Sequence, residues 1–159
     1  MTRRVSASLA FAASMVFAIG TMAKAADSNI GTWKMNTVKS SFSPTRTPTS
    51  QTLKIEEWGV DGVKYAADGF DADGKATHSE FQVKYDGKFV PIKGNPDANT
   101  VSYTRLSANT VESTLRLNGK QAAVIRILVS SDGRMMTMTQ TGTNAAKQDV
   151  HNTIVYDKQ

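Results

Sequence analysis

The sequence predicts an all-β fold, closed into a single up-and-down antiparallel barrel of eight to ten strands. Turn dipeptides recur at near-even spacing. The stretches between them alternate apolar and polar residues, and no connection is long enough to cross between two sheets. Short connections force neighbours in sequence to pair antiparallel, which makes a meander.

The chain opens with Arg3 and Arg4, a short apolar run from Leu9 to Ile19, and Ala23-Lys24-Ala25, the small-x-small pattern of a signal-peptidase site. Residues 1–25 are therefore expected to be a cleavable signal peptide, cut after Ala25, with residues 26–159 forming the barrel domain. The apolar run falls short of the roughly 20 residues of a membrane span. The processed protein is expected in the periplasm or outside the cell, as a monomer with no membrane span. The full chain carries 19 basic and 14 acidic side chains. Losing Arg3, Arg4 and Lys24 leaves 16 against 14, scattered singly, which argues against a nucleic-acid partner. No cysteine is present, so packing and backbone pairing must hold the exported fold together.

The first strand is "GTWKM", Gly31 to Met35, whose Trp33 is expected to plug the base of the barrel as a large buried aromatic. Val38 to Ser50, with Pro44 and Pro48, reads as an extended loop running across one mouth with Phe42 turned inward. Beyond it, Asp61-Gly62, Asp73-Gly74, Asp86-Gly87, Asn118-Gly119 and Asp132-Gly133 mark tight turns, because these residues tolerate positive φ. Between turns, Thr77, Ser79, Phe81, Val83 and Tyr85 fall on one face, and His78, Glu80, Gln82 and Lys84 on the other. Val111, Leu115 and Leu117 alternate with Thr110, Glu112, Thr114 and Arg116, and Met136 and Met138 with Thr137 and Thr139. "AAVIRILV", Ala122 to Val129, is β-branched and short and reads as a strand with Arg126 on the face of Val124 and Leu128. About ten strands result, and closing them removes two long exposed edges.

The two ends carry a resemblance. "GTWKM" and the closing "IVYDKQ" resemble the first and last strands of the intracellular fatty-acid-binding proteins, within the wider lipocalin-like, or calycin, group, and exported bacterial members of unassigned function are similar along nearly the whole mature chain. The resemblance implies a Trp-closed base and a last strand paired with the first. In those carriers a two-helix lid follows the first strand, where this chain has Val38 to Ser50. Their last strand reads Arg-x-Tyr, where this chain has Ile154-Val155-Tyr156 and so keeps Tyr156 without the arginine.

Chemistry-bearing patterns are sparse. Asp71, Asp73, Gly74 and Glu80 match positions of a calcium loop, but its first ligand position is Gly69 and no flanking helices are expected. His78 and His151 are the only imidazoles and face solvent by parity, so neither a zinc site nor a haem ligand is expected. No Ser lies in a Gly-x-Ser-x-Gly elbow, and no base is placed to activate a nucleophile.

The expected function is non-enzymatic binding of a small apolar or anionic amphipathic ligand, without cofactor or metal. Tyr65, Phe81, Tyr103, Met136, Met138 and Tyr156 are the candidate lining, and Arg105 or Arg126 the candidate seat of a polar end. Two alternatives stand beside it: a solid-core interaction or stress-response barrel acting through its loops, and a barrel isomerase with a cryptic acid–base pair. An interior space of roughly 300 Å³ or more favours binding, and filled layers favour the interaction barrel.

Overall fold

The structure is a computed structural model that describes residues 26–159; the expected signal peptide lies outside the described residues. Ten strands follow one another: β1 (Gly31–Met35), β2 (Ser50–Glu57), β3 (Gly62–Phe70), β4 (Ala76–Lys84), β5 (Val90–Pro91), β6 (Thr100–Ser107), β7 (Thr110–Leu117), β8 (Lys120–Val129), β9 (Met135–Thr143) and β10 (Asp149–Lys158). Their order in the sheet is β4-β3-β2-β1-β10-β9-β8-β7-β6-β5, all antiparallel, with the first strand beside the last. The sheet curls until its two edges nearly meet. Glu80 and Lys93 exchange backbone hydrogen bonds there (3.1 and 3.0 Å), and Gly87 N–H donates to Tyr103 C=O (2.9 Å).

The expected turns hold. Asn118 (φ 52°) and Gly119 (φ 80°) both take positive φ between β7 and β8, as a two-residue hairpin of the primed type requires. Gly94 (φ 77°) matters for closure. A Cβ there would lie 2.0 Å from the His78 carbonyl oxygen, so only glycine lets the chain lie this close to β4.

Alternation sorts the faces as expected. Leu53, Val63, Val83, Val101, Val111, Met136 and Tyr156 are buried, while Lys54, Glu56, Lys64, Gln82 and Lys84 are exposed. Apolar inside and charged outside is the reverse of a lipid-facing barrel. Trp33 is wholly buried near the mouth that carries residues 26–30, its indole N–H donating to Asn29 C=O (2.9 Å).

Two expectations are corrected. The segment after β1 does not run straight across a mouth. After an excursion it resumes pairing with β10: Ser41 and Thr153 exchange hydrogen bonds (2.8 and 2.9 Å) and His151 N–H donates to Ser43 C=O (2.9 Å). Phe42 packs against the core from this position.

Arg126 faces outward, not inward. Leu117 pairs with Lys120 and Arg116 with Gln121, but Leu115 pairs with Ala123, leaving Ala122 as an extra residue. Without that bulge, two-residue counting sets Arg126 opposite inward Val111. With it, Arg126 lies opposite outward Glu112, 3.4 Å away.

Candidate functional site

Four of the eight expected site residues converge. Tyr65 on β3, Phe81 on β4, Tyr103 on β6 and Met138 on β9 line one interior chamber, together with Ser113 and Ile127. Strand parity brings them there, most plainly for Phe81 between Glu80 and Gln82 and for Met138 between Thr137 and Thr139. Tyr65 stacks on Phe81 (centroids 4.5 Å apart), and Phe81 meets Tyr103 edge-on (5.6 Å). No hydrogen bond among the described residues uses the hydroxyls of Tyr65 or Tyr103, and both are accessible to the chamber. Burial pushes both phenols well above their ordinary pKa, so they stay protonated and able to donate.

Met136 and Tyr156 are buried but do not line the chamber. Met136 lies opposite Tyr156 on the neighbouring strand, and the Tyr156 hydroxyl donates to Gln51 Oε1, away from any ligand space. Tyr156 is therefore satisfied within the protein. The chamber measures about 70 Å³, enough for a few waters. A drug-sized ligand occupies roughly 300 Å³ or more.

The larger space lies at the N-terminal mouth. A cleft of about 560 Å³ is lined there by Asp27, Glu57, Val60, Tyr85, Arg105 and Ala108 among others. Arg105 does turn inward, as expected, but it does not await a ligand with water as its partner. Its Nη2 donates to Asp27 Oδ2 at 2.6 Å, and the Tyr85 hydroxyl donates to the same oxygen at 2.6 Å. The guanidinium lies 3.8 Å above the Tyr85 ring, which fixes its plane. Asp27 Oδ1 accepts from the backbone N–H and the Nδ2 of Asn29, both at 3.0 Å. Burial alone pushes the Asp27 carboxyl up, but the Arg105 and Tyr85 hydrogen bonds outweigh it and hold the group below its ordinary pKa. A carboxylate beside an inward arginine is the arrangement that would favour the isomerase alternative, although one held below its ordinary pKa is a weak base.

Tyr85 connects the two spaces, its ring 6.1 Å from that of Tyr103. An aromatic column thus runs Tyr65–Phe81–Tyr103–Tyr85 from the chamber to the cleft. Sequence reasoning placed Tyr85 on the inner face without giving it a role. Asp27 went unnoticed because it lies in a short segment without periodicity. Ser113 shares the parity of Val111 and Leu115 and was legible from it.

Among the described residues no group of three His, Asp or Glu is placed to hold a metal. Asp71 Oδ1 is taken up by the backbone N–H groups of Asp73 and Lys75 (2.9 Å each), and Asp73 pairs with Arg46, so the calcium-like segment is a turn. Arg126 lies outside both spaces, and its partner is Glu112.

No protein-family model matches this sequence, and no curated protein sequence matches it. Solved structures do match in shape. The fluorescent protein UnaG is similar at a TM-score of 0.55, with 12% identity over 82% of this chain and 97% of that one. A redesigned β-barrel is similar at 0.51, with 14% identity over 87% and 98%. A zebrafish ileal bile-acid-binding protein complexed with cholic acid stands at 0.48, with 11% identity over 83% and 99%, too distant a likeness to argue from. At such identities what is shared is the fold alone, an all-β antiparallel barrel.

Proposed function

We propose that the protein is an exported barrel that binds one small amphipathic molecule, its apolar body against the aromatic column and its polar end at the N-terminal mouth. The observation that carries this reading is the pair of inward tyrosines, Tyr65 and Tyr103, whose hydroxyls are accessible to the chamber and have no hydrogen-bond partner among the described residues. A phenol hydroxyl that faces an interior space without a protein partner finds one in water or a ligand, so either is the natural partner here. Ligand occupancy beyond a few waters requires the chamber to join a neighbouring space, either the cleft, through movement of Tyr85 or Phe81, or the space of about 270 Å³ at the opposite mouth, which shares Leu115 with it. Export rests on the leader alone, and an intact mass beginning at Ala26 is its expected outcome. The leader still attached in exported protein would rule that processing out.

The test is titration with 11-(dansylamino)undecanoic acid. The wild type is expected to bind and enhance its emission. Ser113→Phe, which fills the chamber, is expected to bind at least about tenfold more weakly, a loss of about 1.4 kcal/mol, while keeping its β-sheet circular dichroism. A single observation favours a second reading, the solid-core interaction barrel: at about 70 Å³ the chamber at the centre of the aromatic cluster is nearly filled. No binding by the wild type, together with no small molecule retained in native mass spectrometry of protein from its own host, would leave that reading standing.

A further inference from the structure

We infer that Arg105 and Tyr85 form a carboxylate seat which the chain's own Asp27 occupies, and that a singly charged carboxylate ligand enters by exchange with Asp27. The inference rests on the binding reading above and names the ligand class for its polar end.

The two donors and the acceptor belong to different parts of the molecule. Arg105 is on β6 and Tyr85 directly follows β4, so both are set by the barrel wall. Stacking at 3.8 Å holds the guanidinium against the phenol ring, and both donors converge on one oxygen at 2.6 Å. Such a fork is preorganised for a carboxylate whether or not Asp27 is present. Asp27 instead sits on the segment 26–30, which joins no strand. That segment is tied down by few bonds besides those of Asp27 itself, namely Ser28 Oγ to Ala108 C=O (3.2 Å) and the Trp33 indole to Asn29 C=O (2.9 Å).

The segment also carries a fault. Asn29 is 4% exposed, and its Oδ1 has no hydrogen-bond partner, while its Nδ2 bond to Asp27 fixes the amide orientation. A buried acceptor left unpaired is costly and rare. Withdrawing residues 26–29 returns Asn29 to water and removes that cost, while the Trp33 indole exchanges its Asn29 acceptor for water and Ile30 stays packed against the core.

Exchange of one carboxylate for another leaves neither Arg105 nor Tyr85 unpaired, so the buried cation is compensated in both end states. The incoming ligand competes with a tethered carboxylate, whose effective concentration is high, and its apparent affinity is reduced accordingly. Glu57 lines the same cleft, and a displaced Asp27 stays nearby on its tether. A second negative charge on the ligand is therefore disfavoured. The seat selects a monocarboxylate, with an apolar body that can follow the Tyr85–Tyr103 contact inward.

The measurement uses 11-(dansylamino)undecanoic acid and its methyl ester against wild type, Asp27→Asn and Arg105→Leu. Asp27→Asn should bind the acid at least about tenfold more tightly than wild type, because the competitor is gone. Arg105→Leu should bind it at least about tenfold more weakly than wild type, losing the charge-assisted bond. The ratio of acid to ester affinity should rise at least about tenfold from wild type to Asp27→Asn, because only the acid competes with Asp27 for the two donors. Equal affinity of wild type and Asp27→Asn for the acid overturns the exchange and leaves the binding reading intact. Absence of binding by every form overturns both. Should Asp27→Asn not fold, amide exchange in the wild type decides: saturating acid should speed exchange at residues 26–30, and unchanged exchange there overturns the proposal.

Discussion

Two tryptophans and two arginines show how much a single side chain's surroundings decide. Trp33 is wholly buried and hydrogen-bonded, whereas Trp58 is 38% exposed. Trp33→Ala should cost about 3–5 kcal/mol through the cavity it leaves, and Trp58→Ala about 1 kcal/mol or less. Urea unfolding of the two variants checks the contrast, and equal losses would refute the plug. Arg126 pairs with Glu112 on the outer face with 64% of its side chain exposed. Arg126→Leu should therefore shift stability by no more than about 0.5 kcal/mol and leave probe affinity unchanged.

Asp27 behaves differently. Its carboxyl is held below the ordinary value of 3.8, so its contribution to stability is complete above that value and is lost as the pH falls through the lowered folded value. In melts followed through acid pH, wild type should lose stability more steeply than Asp27→Asn. Parallel slopes would mean that Asp27 adds nothing pH-dependent to the fold.

At the scale of elements, the seam between β4 and the β5–β6 edge is the weakest joint. Glu80 and Lys93 supply both of its backbone hydrogen bonds at that bridge, and Gly94 permits the approach. Gly94→Val would press a Cβ against the His78 carbonyl in a backbone conformation that side chains avoid. The expected cost is about 2–5 kcal/mol, with faster amide exchange at Glu80 and Lys93. Gly133, with φ 69° and nothing within 4 Å of a built Cβ, is the control. Gly133→Ala should cost only the backbone term, about 1–2 kcal/mol, and leave the seam's exchange unchanged. The bulge at Ala122 is a second element-scale device, since one extra residue reverses the faces of every later position on β8 relative to simple counting.

At the scale of the whole molecule, an amphipathic ligand is expected to raise stability and calcium to leave it unchanged. A molecule bound only by the folded barrel, at 100 times its dissociation constant, adds about 2.7 kcal/mol. The dansyl acid should raise the melting temperature in step with its affinity. Millimolar calcium should not, because the Asp71 and Asp73 carboxylates are already engaged within a turn and with Arg46. A rise of several degrees with calcium would put a metal at that turn.

The sequence by itself determined the barrel. Turn residues that tolerate positive φ set the strand count, and strict alternation in β4, β7 and β9 assigned the inner face, so Phe81 and Met138 were legible as neighbours across a core, while Tyr65 and Tyr103 stood out as aromatics on the strands next to β4 and β7. These are local properties, carried by a period of two and by backbone sterics. Tertiary structure alone decided the rest. Ala122 to Val129 is apolar on both faces, so nothing local marked its bulge or turned Arg126 outward. The partner of Arg105 lies 78 positions away on a segment with no periodicity, and only closure of the barrel brings the two together. Whether inward side chains meet or leave a gap depends on the curvature of the sheet and on how rings interlock across it. The size of the chamber and the prior occupation of the arginine by Asp27 therefore belong to packing.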